Sequence, residues 1–306
     1  MMLMLLRNSA IYSALLLAGG ALALAQQSMM LPKNSVTRVS EHVYAIVGFP
    51  NIGIIVGDRA TLVVDTGLGP RNGAIVVQQA EKLAKAPMLY LTTTHFHPEH
   101  AMGEQAFPPR TIIVRPAVQQ EELMKHGTEM LNMFRSFPQG KELLADIKLR
   151  TPDIVFAKDI TLDLGGGLTA RLFWLGPAHT EGDELIMVQP DSVLLPGDIV
   201  QDKIVPNIPA ANSSVKNWIA ILDQLEPLHP RHIVPDHGAL GDGSLIAKER
   251  AFIVELQSRS LQLKRQGKSA AEAATIVTAE VKKKYPDWQT MGPVANVVKK
   301  VYAENP

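Results

Sequence analysis

The chain has 306 residues, 46% hydrophobic and 20% charged, enough to bury one sizeable core. Thirty basic residues balance thirty acidic ones, so there is no positive surplus to hold a phosphate backbone, and nucleic acid is excluded as a default partner. Cysteine is absent, which removes disulfides, thiolate nucleophiles and thiolate metal ligands together.

Met1 to Asn8 carries one charge, Arg7; an apolar run follows from Ile11 to Leu24, and Ala23-Leu24-Ala25 precedes Gln26-Gln27. A basic start, a short apolar middle and an Ala-x-Ala end predict a secretory signal peptide over 1–25, with export to the periplasm or beyond the cell. The run is shorter than the ~20 apolar residues that span a bilayer, so no stable membrane anchor is expected after cleavage. A polar link covers Gln26 to Ser35.

Short β-branched, apolar runs then predict strands at Val43–Val47, Ile52–Val56 and Thr61–Val64, separated by the turn-prone Pro50-Asn51 and Gly57-Asp58. Ala74, Val77, Ala80 and Leu83 recur at three-residue intervals and predict a helix over Asn72–Lys85. Met88–Leu91 and Thr111–Val114 read as strands. Ala117–Phe137 reads as a Met-rich helix; an insertion over a site is one reading, and the favoured one takes Met124, Met130 and Met133 as core filler.

Further strands are predicted at Ile160–Leu164, Ala170–Leu175, Leu185–Val188, Val193–Leu195 and His232–Val234. A helix capped by Asn212 or Ser213 runs to Leu225 before Pro227. From Ser244 onward the pattern is helical only: Leu245–Gln266, Ala270–Lys284 and Pro293–Ala303. Trp288 and Met291 are expected to pack on the core, and Lys282-Lys283-Lys284 to be a solvated helix end. The alternation of strands and helices predicts an α/β layered core over 36–243, with a helical C-terminal extension, 244–306, packed against it.

Chemistry concentrates in Thr94-His95-Phe96-His97-Pro98-Glu99-His100, which holds three of the nine histidines just after a predicted strand. Alternate positions of an extended segment point the same way, so His95 and His97 can reach one metal; Pro98 then turns Glu99 and His100 toward a neighbouring point. Mixed nitrogen and oxygen donors suit a catalytic transition-metal site such as zinc. His179, Asp198, His237 and Asp65 each end a predicted strand. Singly, each reads as a structural histidine or a turn-forming aspartate.

The ordered set Val63-Val64-Asp65-Thr66-Gly67, His95-x-His97-x-Glu99-His100, His179-Thr180, Gly197-Asp198 and His237-Gly238 resembles the metallo-β-lactamase superfamily over roughly Val36 to Gly243. The resemblance implies an αββα sandwich with a two-zinc site at one edge. It assigns His95, His97 and His179 to the first Zn2+, and His100 and His237 with Glu99 to the second. It also makes Asp198 a bridge between them, and Asp65 a hydrogen-bond partner of a ligand histidine. Glu99 stands where the family has Asp, and Ala178 and Asp236 where relatives usually have Gly. The first change bears on the second metal, while the other two imply only local backbone adjustment.

Glu99 and Asp198 are thereby the residues implied in catalysis by a metal-activated water. The implied reaction is hydrolysis of an ester, lactone or related carbonyl or phosphoryl bond in a small-molecule substrate. Cleavage of β-lactams is an alternative, which Asp198 disfavours by lowering the positive charge of the metals. A non-catalytic metal-binding accessory protein is the second alternative.

Overall fold

A computed structural model describes residues 28–208, 213–290 and 294–306. The predicted signal peptide, together with Asn212, Met291 and Pro293, lies outside these residues.

Among the described residues, the first sheet runs in chain order through β1 (Thr37–Arg38), β2 (Val43–Ile46), β3 (Ile52–Val56), β4 (Ala60–Val64), β5 (Met88–Thr92), β6 (Ile112–Pro116) and β7 (Ile154–Phe156). It is antiparallel from β1 to β4 and parallel from β4 to β7. Helix α1 (Gly69–Leu83) makes the β4–β5 crossover, and the one-turn α2 (Pro98–Ala101) follows β5. Helices α3 (Ala117–Arg135) and α4 (Pro138–Leu143) separate β6 from β7.

The second sheet contains β8 (Asp159–Gly165), β9 (Leu168–Trp174), β10 (Glu184–Gln189), β11 (Val193–Leu195) and, after the short β12 (Ile204–Val205) and helix α5 (Val215–Leu225), β13 (His232–Ile233). Its order is β13-β11-β10-β9-β8. Helices α6 (Ser244–Arg265), α7 (Ala270–Lys284) and α8 (Val294–Glu304) follow. Between α7 and α8, β14 (Gln289–Thr290) pairs in parallel with β12.

Alternation along the strands explains the layers. On β4, Ala60, Leu62 and Val64 face the second sheet and share a cluster with its Ala170, Leu172, Ile186 and Val188, whereas Val63 joins Val76 and Ala80 of α1. On the second sheet, Leu185, Met187 and Leu194 face outward, into one buried cluster with Trp218, Phe252, Ile253 and Val298. The result is the expected αββα sandwich, with the C-terminal helices contributing to its outer helical layer. No helix among the described residues is long and apolar enough to cross a membrane.

Several local expectations need correction. Ala74 is exposed, whereas Val77 and Ala80 are buried as expected; the buried face of α1 also takes in Ile75, Val76 and Gln79, because a helix advances 3.6 rather than three residues per turn. Met124 is 72% exposed and Met133 42%, so neither fills the core; Met130 is half-buried. The α5 cap is Ser214, whose hydroxyl accepts from Asn217 N–H at 3.0 Å. Met29 and Leu31, within the supposed polar link, are buried; Asn72 holds them by accepting from Leu31 N–H and donating to Met29 O. Trp288 does pack as expected, with ring centroids 4.5 Å from Phe252 and 4.7 Å from Tyr285.

Ile253, 2% exposed in α6, joins the extension to the sandwich core. Ile253→Ala is expected to cost about 2–5 kcal/mol. Urea unfolding followed by tryptophan fluorescence should show this as one shifted cooperative transition rather than separate melting of the helices.

Candidate metal centre

Strand directions bring the predicted residues to one edge. β4 and β5 are parallel, so Asp65 and the His95–His100 loop emerge together. Across the sandwich, β9 and β11 both run antiparallel to β10, and β13 runs parallel to β11, so His179, Asp198 and His237 also follow strands ending at a common edge. Gly197, at φ 61°, turns the chain so that Asp198 follows β11 directly; a Cβ there would lie 3.0 Å from Thr94 Cβ.

His95 Nε2 lies 3.0 Å from His97 Nδ1, and His179 Nε2 lies 3.2 Å from the same atom. Three imidazole nitrogens therefore converge, as alternation along the loop predicts for the first two. His179 Nδ1 is 2.8 Å from Asn207 O, so Nδ1–H donates there and Nε2 keeps its lone pair for the centre. Burial, and then the neighbouring imidazoles, hold His95 and His97 well below the ordinary histidine range, leaving their rings neutral and able to ligate.

Glu99, His100 and His237 form a second group whose ligand atoms lie within 4.8 Å of one another. His97 is still extended and immediately precedes α2, and Pro98 is the helix's first residue, which separates the directions of His97 and His100. Asp198 lies between the groups, with Oδ2 3.3 Å from His179 Nε2 and Oδ1 3.4 Å from His237 Nε2. Burial opposes its ionisation, but His237 and His179 outweigh burial and hold Asp198 down to about 2. Burial pushes Glu99 up to about 7.

Whether these residues fit metal ions is tested by their polar atoms. Glu99 Oε2, His100 Nε2, His237 Nε2 and Asp198 Oδ1 are all buried without a hydrogen-bond partner. Such atoms cost roughly 1–3 kcal/mol each when left unsatisfied. Their convergence, with donors suited to a transition metal, is what a cation would resolve. The residues present fit.

Behind His100 the structure holds more than the sequence revealed. His100 Nδ1 faces Asp65 Oδ2 at 3.0 Å and Asp236 Oδ2 at 3.2 Å. Thr94 Oγ1 donates to Asp236 Oδ2 at 2.6 Å, and Thr94 N–H donates to Asp65 Oδ1 at 2.7 Å. Asp65 itself adopts φ 70°, a costly left-handed conformation for a residue other than glycine. Burial alone would depress His100, but Asp65 and Asp236 override it and carry the ring well above its ordinary range. The surroundings thus demand positive charge on the imidazole, which a cation held at Nε2 also supplies.

The sequence assigns Asp236 only a backbone adjustment; instead its buried carboxylate is a direct partner of His100. Its lone signal in the sequence is adjacency to His237, which also fits an ordinary turn residue. Ala178 is simply buried, in the cluster with Trp218. Asp236→Ala is expected to weaken zinc binding at the Glu99–His100–His237 group by about 10–100-fold, leaving the three-imidazole group unchanged. Chelator competition on the folded protein measures both affinities.

A sequence model described as the Metallo-beta-lactamase superfamily matches residues 45–237. The linear primary-alkylsulfatase of Pseudomonas sp. (strain ATCC 19151) is 22% identical over 217 residues, covering 60% of this chain and 40% of that protein. A stereoselective inverting sec-alkylsulfatase from Pseudomonas sp. superposes with a TM-score of 0.70 at 17% identity, over 89% of this chain and 50% of its own. A metallo-beta-lactamase from Pontibacter korlensis gives 0.58 at 20% identity, over 72% of this chain and 98% of its own. The chain therefore spans half or less of the length of these alkylsulfatases, and the structural likenesses show a shared fold. With well over half of its length matched, from β2 to His237, the chain belongs to the metallo-beta-lactamase superfamily.

Proposed function

We propose that the protein is an exported two-zinc hydrolase that cleaves an ester-type bond in a small molecule, sulfate esters being the first class to try. Members of the superfamily are mostly metal-dependent hydrolases. The observation that carries the two-metal reading is Asp198, whose two carboxylate oxygens face His179 and His237 separately, at 3.3 and 3.4 Å. A carboxylate so placed can serve both ligand groups at once.

His95, His97 and His179 would hold one zinc, Glu99, His100 and His237 the other, and Asp198 would bridge them. When bound, zinc supplies Lewis acidity and acidifies a water toward neutral pH. The chain's own residues do the rest. Asp65, Asp236 and the Asn207 carbonyl fix ring orientation through the contacts on His100 and His179. Glu99 Oε2, free of any hydrogen bond, is placed to ligate or to take up a proton. Phe49 lies 4.9 Å from the His237 ring and Phe96 4.9 Å from the His97 ring, an apolar collar that limits water around the ligands. A cleft of about 350 Å³ lined by Asn51, Lys203, His237 and Asp287 is of small-molecule size.

Ester hydrolysis is supported by Asp198, which tempers the positive charge that a β-lactam carboxylate would seek. Sulfate esters are put first because two of the similar proteins are alkylsulfatases by description. The test is a panel of aryl and alkyl sulfates, phosphate esters, lactones, carboxylic esters and β-lactams on zinc-loaded protein. Turnover of an ester class is expected, falling by about 100-fold or more in Asp198→Ala, the scale of losing one electrostatic element of a site. Zinc-loaded protein inert across the panel overturns the hydrolase reading in favour of an accessory metal-binding role.

A further inference from the structure

We infer that Gln119 and Glu122, on the first turns of α3, are positioning residues that set the spacing between the His95–His97 loop and the His179 loop. The inference rests on reading those three histidines as ligands of one metal. Gln119 is fully buried, and its side chain reaches both loops. Its Oε1 accepts from Thr93 Oγ1 at 2.8 Å, and its Nε2 donates to Thr93 O at 2.8 Å and to Gly182 O at 3.1 Å. Thr93 is two residues before His95, and Gly182 three residues after His179.

One turn further on, Glu122 holds the same loop with both oxygens. Oε1 accepts from Glu181 N–H and Oε2 from Gly182 N–H, each at 3.0 Å. The contact is close enough that a Cβ on Gly182 would lie 2.4 Å from Gln119 Cα, a backbone atom that cannot swing aside. Helix α3 therefore presses its first turns against the His179 loop. The amide of Gln119 then ties that loop to the strand end that launches His95.

Neither residue touches a ligand ring, so the effect is geometric. Imidazoles on two separately folded loops converge to about 3 Å only if the loops are held in register, and backbone contacts give one further tie, Glu184 N–H to Thr94 O. The amide of Gln119 uses both its donors and an acceptor across this gap. An apolar side chain of the same length fills the space and makes none of these bonds.

The experiment uses Gln119→Leu and Glu122→Gln in the whole protein, with exposed Glu121→Gln as a surface control and Ile253→Val as a core-destabilised control. Zinc affinity of the three-imidazole group is measured by chelator competition, and its geometry by the visible absorption of the cobalt-substituted protein. Gln119→Leu is expected to weaken that affinity by about 10-fold or more and to alter the cobalt spectrum, while both controls retain the wild-type values. Should Gln119→Leu fail to fold, the isosteric Glu122→Gln gives the same readouts. A folded Gln119→Leu or Glu122→Gln with wild-type affinity and spectrum overturns the positioning role. Wild-type protein that binds no zinc overturns the metal reading beneath it, a separate and recognisable failure.

Discussion

Six histidine and aspartate side chains and one glutamate meet at the edge of the sandwich, each at most 5% exposed: His95, His97, Glu99, His100, His179, Asp198 and His237. Polar groups in such numbers are buried at a cost unless something satisfies them. Part of the compensation is internal, through Asp65, Asp236 and the carbonyl of Asn207. The remaining unpartnered atoms face inward, toward one another. That constraint explains why so much of the surrounding structure is polar, buried and tightly bonded, where a sandwich edge would ordinarily be loop and solvent.

The fold meets the constraint by dividing the labour. The first sheet delivers four of the seven groups on one continuous loop, so their relative placement is local. The second sheet delivers the other three from three different strand ends, so their placement depends on tertiary contacts. Trp218 illustrates the dependence: its Nε1–H donates to Ile199 O, next to Asp198, and its ring lies 6.1 Å from that of His179. Trp218 belongs in turn to the cluster that includes the C-terminal helices. The pairing of β12 with β14 ties those helices to the segment between Asp198 and Asn207. The helical extension thus supports the centre without supplying any of the seven groups.

Legibility in the sequence follows the same division. The His95–His100 loop can be read because its spacing is itself the geometry: two alternate positions, a proline, then a helical turn. The sandwich can be read because alternation on β4 or β10 reports which face is buried. Asp236, Gln119 and Glu122 cannot be read, since a carboxylate beside a histidine or a polar residue early in a helix usually faces solvent. Only the approach of a distant loop buries them. Strands β12 and β14, two residues each, have no pattern to detect and exist because each finds the other. Met29 and Leu31 are masked by polar neighbours, and their burial depends on Asn72, some forty residues later.

The central claim is that these groups hold two metal ions, with Glu99 among the groups that serve the second. The most direct test is zinc stoichiometry on the purified protein, measured beside the same quantity for Glu99→Asp. The account predicts two equivalents in the wild type, and two again in Glu99→Asp. One equivalent in the wild type, rising to two in Glu99→Asp, contradicts it, because the longer side chain would then have emptied the second site.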